Sequence, residues 1–594
     1  MLRKLLFCLL LASAVLLPTA AQDQPHTART FIPIGGGYET LQEFVEAAFP
    51  YWQTLATDQF TILMLPSAFS YDPYILPTAE LLDNSYLADL RRYQLEEACR
   101  NVLLSRRVEG IPCRVILLPV YTREAAQSDL LQQFFSADLA AIYLLGGSQQ
   151  NAMYIIADTP LEQTITAAVQ NGVPIGGNSA GAALLSQAMI AGYAPDHDQN
   201  TALVEGAVSL WNQPLSGQRG LAAGVGNALI ETHLWELARL PRVLNLLTIE
   251  NAPHLVIGLD GKTGAVLQDE TTFANVFGQY STAIFDGISL NAAANATFNP
   301  SGSLSIHNVL VHLLAPGNFS FDLSTLEPSW GVRPENISRN FSAFIKPETA
   351  GDLYLYGGTP AASSLPDTPD TLIVLVSYSD TAQLAAAAEY YAGQRVIISP
   401  PSGDPIEASL PEGASLSDYT SIAVIAGDQS LIDIGQLQTL AEAWRSGITL
   451  SLIGAAAAAA GQTYAANPAL NFDTAAASAI AAHTQGAFII GGTRLRSGLE
   501  LLSLNVEPHL IDNNRFGRLF SLAFNEKDVQ ALGIPANAAV RFTAEGAFVQ
   551  GENSVFVLDL SDAVLGVGVN NAFAIANALL DTFAPNDRIQ AIGT

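Results

Sequence analysis

What most constrains this 594-residue chain is that its second half echoes its first. Arg114-Val-Ile-Leu-Leu-Pro119 returns as Arg395-Val-Ile-Ile-Ser-Pro400, at an offset of 281. Ala141-Ile-Tyr-Leu-Leu-Gly-Gly-Ser-Gln149 returns as Ser421-Ile-Ala-Val-Ile-Ala-Gly-Asp-Gln429, at 280. Gly172-Val-Pro-Ile faces Gly447-Ile-Thr-Leu at 275, and His233, Arg239 and Arg242 face His509, Arg515 and Arg518 at 276. Four matches in one order, with offsets drifting by six residues, predict a tandem duplication. The period is too long for a solenoid, so each copy should be a whole domain.

Both copies alternate compact β-rich runs with helical patterns. Phe60 to Leu65, Arg114 to Leu118 and Ala141 to Leu145 lack polar alternation, which suits strands buried on both faces. Between them, Leu81 to Leu104 has the spacing of an amphipathic helix. The expected fold is α/β, as two tandem doubly wound, mostly parallel sheet domains. From Phe285 to Leu323 short strands with Gly and Asn turns suggest an antiparallel extension. The domains are expected at 22–330 and 371–594, with 331–370 holding the linker and the start of the second copy.

Arg3 and Lys4, an apolar run from Leu5 to Leu17 and a small-residue exit near Ala21 predict a signal peptide over 1–21. The run is shorter than the ~20 residues a membrane span needs. Export to the periplasm or the medium is expected. Asp and Glu number 55 against 26 Lys and Arg, a formal charge of −29. That excess argues against nucleic acid or an anionic membrane as partner, since both need clustered cations. Cys99 and Cys113 could pair or stay as buried thiols, and eight scattered histidines show no zinc-type spacing, so no metal site is expected.

Chemistry concentrates in the first copy. Gly177-Asn178-Ser179-Ala180-Gly181 fits G-x-S-x-G, with an apolar strand before it and a helix-compatible segment after it. Such an elbow exposes the serine oxygen above a sheet, beside backbone N–H groups that stabilise an oxyanion. Gly146, Gly147 and Ala180 are the expected donors. His233, in Glu231-Thr-His233, is the candidate base. A helix starting after it would put Arg239 and Arg242 on one face, suited to a substrate carboxylate.

With these residues assembled, the chain resembles the cyanophycinase and dipeptidase-E family of serine peptidases, whose fold is related to class I glutamine amidotransferases. The resemblance is carried by Ile34-Gly-Gly-Gly37, Leu145-Gly-Gly-Ser-Gln149, Gly176-Gly-Asn-Ser-Ala-Gly-Ala182, Thr232-His233 with Arg239 and Arg242, and Val311-His-Leu-Leu-Ala-Pro-Gly317. It covers roughly residues 31 to 325. It implies an exopeptidase-like hydrolase with Ser179 as nucleophile, His233 as general base, and Gln149, Arg239 and Arg242 holding substrate. Cyanophycin, a poly-aspartate bearing arginine on its side chains and released as β-aspartyl-arginine, is the implied substrate type, and no cofactor is implied.

Two departures stand out. Ser148 replaces the family's Asp or Asn, and Gly258-Leu-Asp260-Gly261 has glycine where the family's third catalytic member, a glutamate, is expected. Asp260 or Glu231 would have to substitute, and loss of an orienting carboxylate costs orders of magnitude in rate. Copy two has Gly454 in place of the serine, while Gln429, His509, Arg515 and Arg518 remain. It is expected to be a non-catalytic partner in an internal pseudo-dimer, where a serine placed at 454 restores nothing; a homo-oligomer is also open. The reading is a secreted serine hydrolase of an isopeptide or acidic-dipeptide bond. Its rivals are a secreted binding protein with a lapsed site and an α/β-hydrolase esterase, whose acid would lie between the serine and a late histidine.

Overall fold

A computed structural model describes residues 28–591 apart from 214–216, 335–339, 361–364, 367–370, 392–393, 400–403, 469 and 471–474. The expected signal peptide lies outside the described residues. Alternating apolar side chains explain the first sheet. On Phe60–Leu65, Leu63 and Leu65 face one core, while Ile62 and Met64 face another. Helices Gln149–Ile156 and Pro160–Gln170 cover the first face, and Leu41–Trp52 and Thr78–Ser105 cover the second. Cys99, on the last of these, forms a disulfide with Cys113 at the start of the neighbouring strand, with Cα atoms 6.1 Å apart.

This nine-stranded sheet has a parallel block, in the order Cys113–Leu117, Phe60–Leu65, Leu139–Leu144, Ile175–Asn178 and Thr30–Ile34. Antiparallel strands Thr263–Gln268 and Thr272–Gly278 continue it. An eight-stranded sheet in the second half runs in a matching order. Its parallel block is Arg395–Ile398, Thr371–Val376, Ser421–Ala426, Thr449–Gly454 and Leu353–Tyr356. Ala538–Thr543 and Gly546–Gly551 then continue it antiparallel. The chain is therefore mixed α/β, with parallel sheet portions in each half.

The third sheet joins the halves. Its ten strands include Leu229–Glu231, Leu255–Gly258, Thr282–Asp286 and Leu304–Leu314 from the first half. From the second come Phe573–Phe583, Val555–Asp559, Ala531–Ile534 and Asn505–Pro508. Leu304–Leu314 and Phe573–Phe583, each of 11 residues, pair antiparallel at the centre. Leu310 pairs with Leu579, each the seventh residue of its strand. The segment read as an antiparallel extension thus finds its main partner in the other half. The outer strands, Leu229–Glu231 and Asn505–Pro508, lead directly into His233 and His509.

An aromatic cluster seals this junction. Trp235, 2% exposed, lies 4.5 Å from Phe488, 6.2 Å from Phe516 and 5.5 Å from Phe520, ring centre to ring centre. Trp235→Ala should destabilise the chain by about 3–5 kcal/mol, because the cavity it opens is walled by both halves. Urea denaturation measures this as a lowered midpoint; a change within error would show the cluster contributes little.

Candidate active site

The Ile175–Asn178 strand ends at the centre of the first sheet, and Ser179 follows with φ 52° and ψ −124° before the turn Ala180–Ala183. Such a backbone costs a non-glycine residue about 1–3 kcal/mol, so its surroundings must hold it. Ser179 N–H donates to Ile34 O at 2.9 Å. Asn178 Oδ1 accepts from Tyr143 Oη and from Gly146 N–H, both at 3.2 Å.

His233 sits in a second tight turn, with φ 49°, and its N–H donates to Gly35 O at 3.2 Å. A Cβ on Gly36 would lie 2.1 Å from the imidazole Cε1, so only glycine leaves the ring its place. His233 Nε2 stands 2.8 Å from Ser179 Oγ. Its Nδ1 pairs with Glu236 Oε2. With Nδ1–H donating to that carboxylate, Nε2 is free to accept the serine proton.

The carboxylate behind the histidine is therefore Glu236, not Asp260 or Glu231. Positive φ at His233 turns the chain so that the side chain three residues on meets the imidazole. Glycine at 261 belongs to the same arrangement: a Cβ there would lie 2.3 Å from Glu236 Oε1. Buried Asp260 supports the turn instead. Its Oδ1 accepts from Glu236 N–H at 3.1 Å, and its Oδ2 accepts from Gln485 Nε2, of the second half, at 2.8 Å. Asn514 Nδ2 also donates across the junction, to Trp235 O and to Glu236 O. Burial, then the charge of Glu236, raises the Asp260 carboxyl to about 7. The order serine, histidine, glutamate also differs from the esterase order considered above.

The remaining expected site residues divide. Gly146 N–H is committed to Asn178, so it is not an oxyanion donor. Gly147 and Ala180 N–H groups have no protein acceptor among the described residues. Ser148 Oγ caps the helix through Asn151 N–H at 3.3 Å, and Gln149 Nε2 donates to Ile190 O at 3.1 Å. The helix after His233 starts only at Leu240, and the arginines do not share an open face. Arg242 grips buried Glu231 with two bonds, Nε–Oε2 at 2.8 Å and Nη2–Oε1 at 2.6 Å, while Arg239 reaches it at 3.2 Å. Burial pushes the Glu231 carboxyl up, but the two guanidinium ions outweigh it and hold it below its usual range. Among the described residues no group of three or more metal-binding side chains occurs.

The second half reproduces the frame. Gly454 has φ 57° and ψ −125°, and His509, with φ 54°, pairs through Nδ1 with Asp512 Oδ2 at 2.8 Å. The carboxylate again follows the histidine by three residues, a repeat visible in the sequence that could have revealed Glu236.

Residues 111–210 match the sequence model of the family described as Peptidase family S51. A cyanophycinase from Geminocystis herdmanii is 31% identical over 193 residues, covering 32% of this chain and 65% of that protein. One from Trichormus variabilis is 27% identical over 206 residues, covering 34% and 64%. In this part of its sequence the chain is similar to cyanophycinases. It spans just under two thirds of the length of these relatives. A solved peptidase from an acI-B1 Actinobacterium is 20% identical, covering 45% of this chain and 93% of that one, with a TM-score of 0.33.

Two consequences are measurable. Asp260 keeps its proton in the folded chain up to about pH 7 but loses it near 3.8 when unfolded. The unfolded state then binds fewer protons across that window, so stability falls as pH rises through it and levels off above. Asp260→Asn should flatten this decline, at most ~4 kcal/mol, in denaturation curves at pH 4.5 and 7.5; an unchanged slope would assign it to other groups. The second concerns Gly454, whose added Cβ would stand 3.3 Å from His509 Nε2. Contrary to the sequence expectation, Gly454→Ser in a Ser179→Ala chain should be labelled by a fluorophosphonate, at a site located by peptide mapping.

Proposed function

We propose that the chain is an exported serine-type peptidase that cleaves an isopeptide or acidic-dipeptide bond. The observation that carries this reading is the 2.8 Å contact of Ser179 Oγ with His233 Nε2, backed by Glu236 on Nδ1. Ser179 Oγ attacks the scissile carbonyl carbon while Nε2 takes its proton. Gly147 and Ala180 N–H groups receive the oxyanion. The imidazolium, held by Glu236, gives its proton to the leaving amine, and water then resolves the acyl-enzyme with His233 again as base.

The substrate class is a cyanophycin-like peptide, released as β-aspartyl-arginine. Support comes from the relatives named cyanophycinase and from an acidic chain, formal charge −29, suited to an arginine-bearing polymer. Export is supported by the basic, apolar and small-residue start of the sequence and by the Cys99–Cys113 disulfide. The halves are read as duplicated doubly wound domains in an internal pseudo-dimer. The shared strand order and the pairing of Leu310 with Leu579 support this.

The test is incubation of the purified chain with cyanophycin and a panel of aspartyl dipeptides, with product analysis by mass spectrometry. Ser179→Ala should abolish release; turnover by that variant would remove Ser179 from its role. Glu236→Ala should lower kcat/KM by about 10³–10⁴-fold, as loss of an orienting carboxylate does. Gly261→Glu on that background returns a carboxylate beside the imidazole from the family's position and should recover part of the loss.

A further inference from the structure

The second half encloses a cavity of about 130 Å³ above Gly454, walled by Asp428, Gln429, His509, Asn513, Arg515 and Arg518. Its two guanidinium groups are buried, Arg515 8% and Arg518 4% exposed. Among the described residues, Arg515 Nε and Arg518 Nη1 have no hydrogen-bond partner. A buried charge-bearing donor left unpaired is costly and calls for an acceptor. The counterpart arginines of the first half show the contrast. Arg239 and Arg515 stand alike, 3.2 and 3.3 Å from Glu231 and Glu507, but Arg242 makes two short bonds to Glu231 where Arg518 stands 3.7 Å from Glu507. Gln429 Oε1 receives Arg515 Nη1 at 2.9 Å and reaches neither open donor. Asp428 Oδ1 accepts the N–H and the hydroxyl of Ser430, each at 2.8 Å, and no hydrogen bond joins Asp428 to either open donor.

The electrostatics point the same way. Burial, then the charge of Arg515, lowers the Arg518 guanidinium to about 10, and burial raises Glu507 despite both arginines. Glu507 stands at distances that leave donors on both arginines open, and Asp428, on the cavity wall, acts on Arg518 through its charge without a hydrogen bond. On the opposite wall, His509 Nδ1 is held by Asp512, and Nε2 points to the space where a Cβ on Gly454 would be.

We propose that this cavity binds a small carboxylate carrying an N–H or O–H donor, its oxygens on Arg515 and Arg518 and its donor on His509 Nε2. Planar guanidinium groups match a carboxylate in bidentate geometry, and an imidazole with Nδ1–H committed presents an acceptor. With glycine at the elbow the ligand is held and not cleaved. The second half is then a ligand-binding unit in its own right, whatever Ser179 does in the first.

Titration calorimetry on the full chain carrying Ser179→Ala tests this, with L-aspartate, succinate, glycinamide and inorganic phosphate as probes. L-Aspartate should bind, succinate more weakly, and glycinamide and phosphate not measurably. Arg518→Gln, which removes the unpaired donor, should weaken the L-aspartate site at least about tenfold, the effect of losing one charge-assisted hydrogen bond. Asn513→Trp, at the rim and away from the buried charges, should do the same by blocking entry, and it decides the matter if Arg518→Gln does not fold. No binding of L-aspartate, or binding unchanged in the folded variants, overturns the site. Phosphate binding as tightly as L-aspartate overturns the carboxylate, and succinate matching L-aspartate removes His509 from it.

Discussion

The rest of the structure hangs on the antiparallel pairing of Leu304–Leu314 with Phe573–Phe583. Both strands are mostly apolar and almost wholly buried, so neither could remain at the edge of a sheet exposed to water. Pairing them makes one sheet out of two sets of strands. Because this sheet ends in the strands preceding His233 and His509, the same contact that removes two exposed edges also fixes both imidazoles. The second half also helps to position the Ser179–His233–Glu236 frame of the first. Gln485 and Asn514 show this at atomic scale, since both belong to the second half and both hold the turn that carries Glu236.

That turn shows how a carboxylate can reach an imidazole from an unexpected direction. In a helix, residues three apart share a face and can pair, but residues 233–236 form a turn instead. Positive φ at His233 reverses the chain direction and makes the short spacing productive. The space is cleared by Gly261, on the neighbouring strand end, where any side chain would overlap the Glu236 carboxylate. A missing side chain at one position and an added one at another are two views of one packing solution. The cost is carried by Asp260, buried without a cation of its own beside a second carboxylate, which is why it titrates near neutrality.

Much of this was legible in the residues. Strands such as Phe60–Leu65 declare themselves because a parallel strand buried on both faces has no polar positions to disguise it. The serine elbow was legible because its small residues and flanking elements are local. What was not legible depended on a backbone angle or on a distant partner. Glu236 went unread because its role follows from φ at His233, and although histidine is enriched at positive φ, the residue type alone does not fix the angle. Arg242 was read as facing substrate because the helix was assumed to begin at once. In fact it begins at Leu240, and Glu231, with one side of the sheet to itself, takes the guanidinium. The partner of Leu304–Leu314 could not be read either, since apolar strands carry no label for which other apolar strand they meet.

The two elbows, finally, separate what is needed for a fold from what is needed for a reaction. Ser179 and Gly454 have nearly the same backbone angles, yet only serine is strained by them. Keeping a nucleophile at that bend requires the hydrogen bonds of Ile34 and Asn178 to offset the strain; with glycine the bend is relaxed by itself. A half that gives up its hydroxyl therefore loses reactivity without losing its shape, and the surrounding groups stay where the sheet puts them. The buried arginines are such groups. In the first half Glu231 takes two short bonds from Arg242, whereas in the second Glu507 stands 3.7 Å from Arg518 and donors on both arginines stay open. Stability alone would favour closing that gap, because a buried donor left open destabilises the fold that holds it. Its persistence beside a relaxed elbow is the physical reason to regard the second half as a receptor and not as filler.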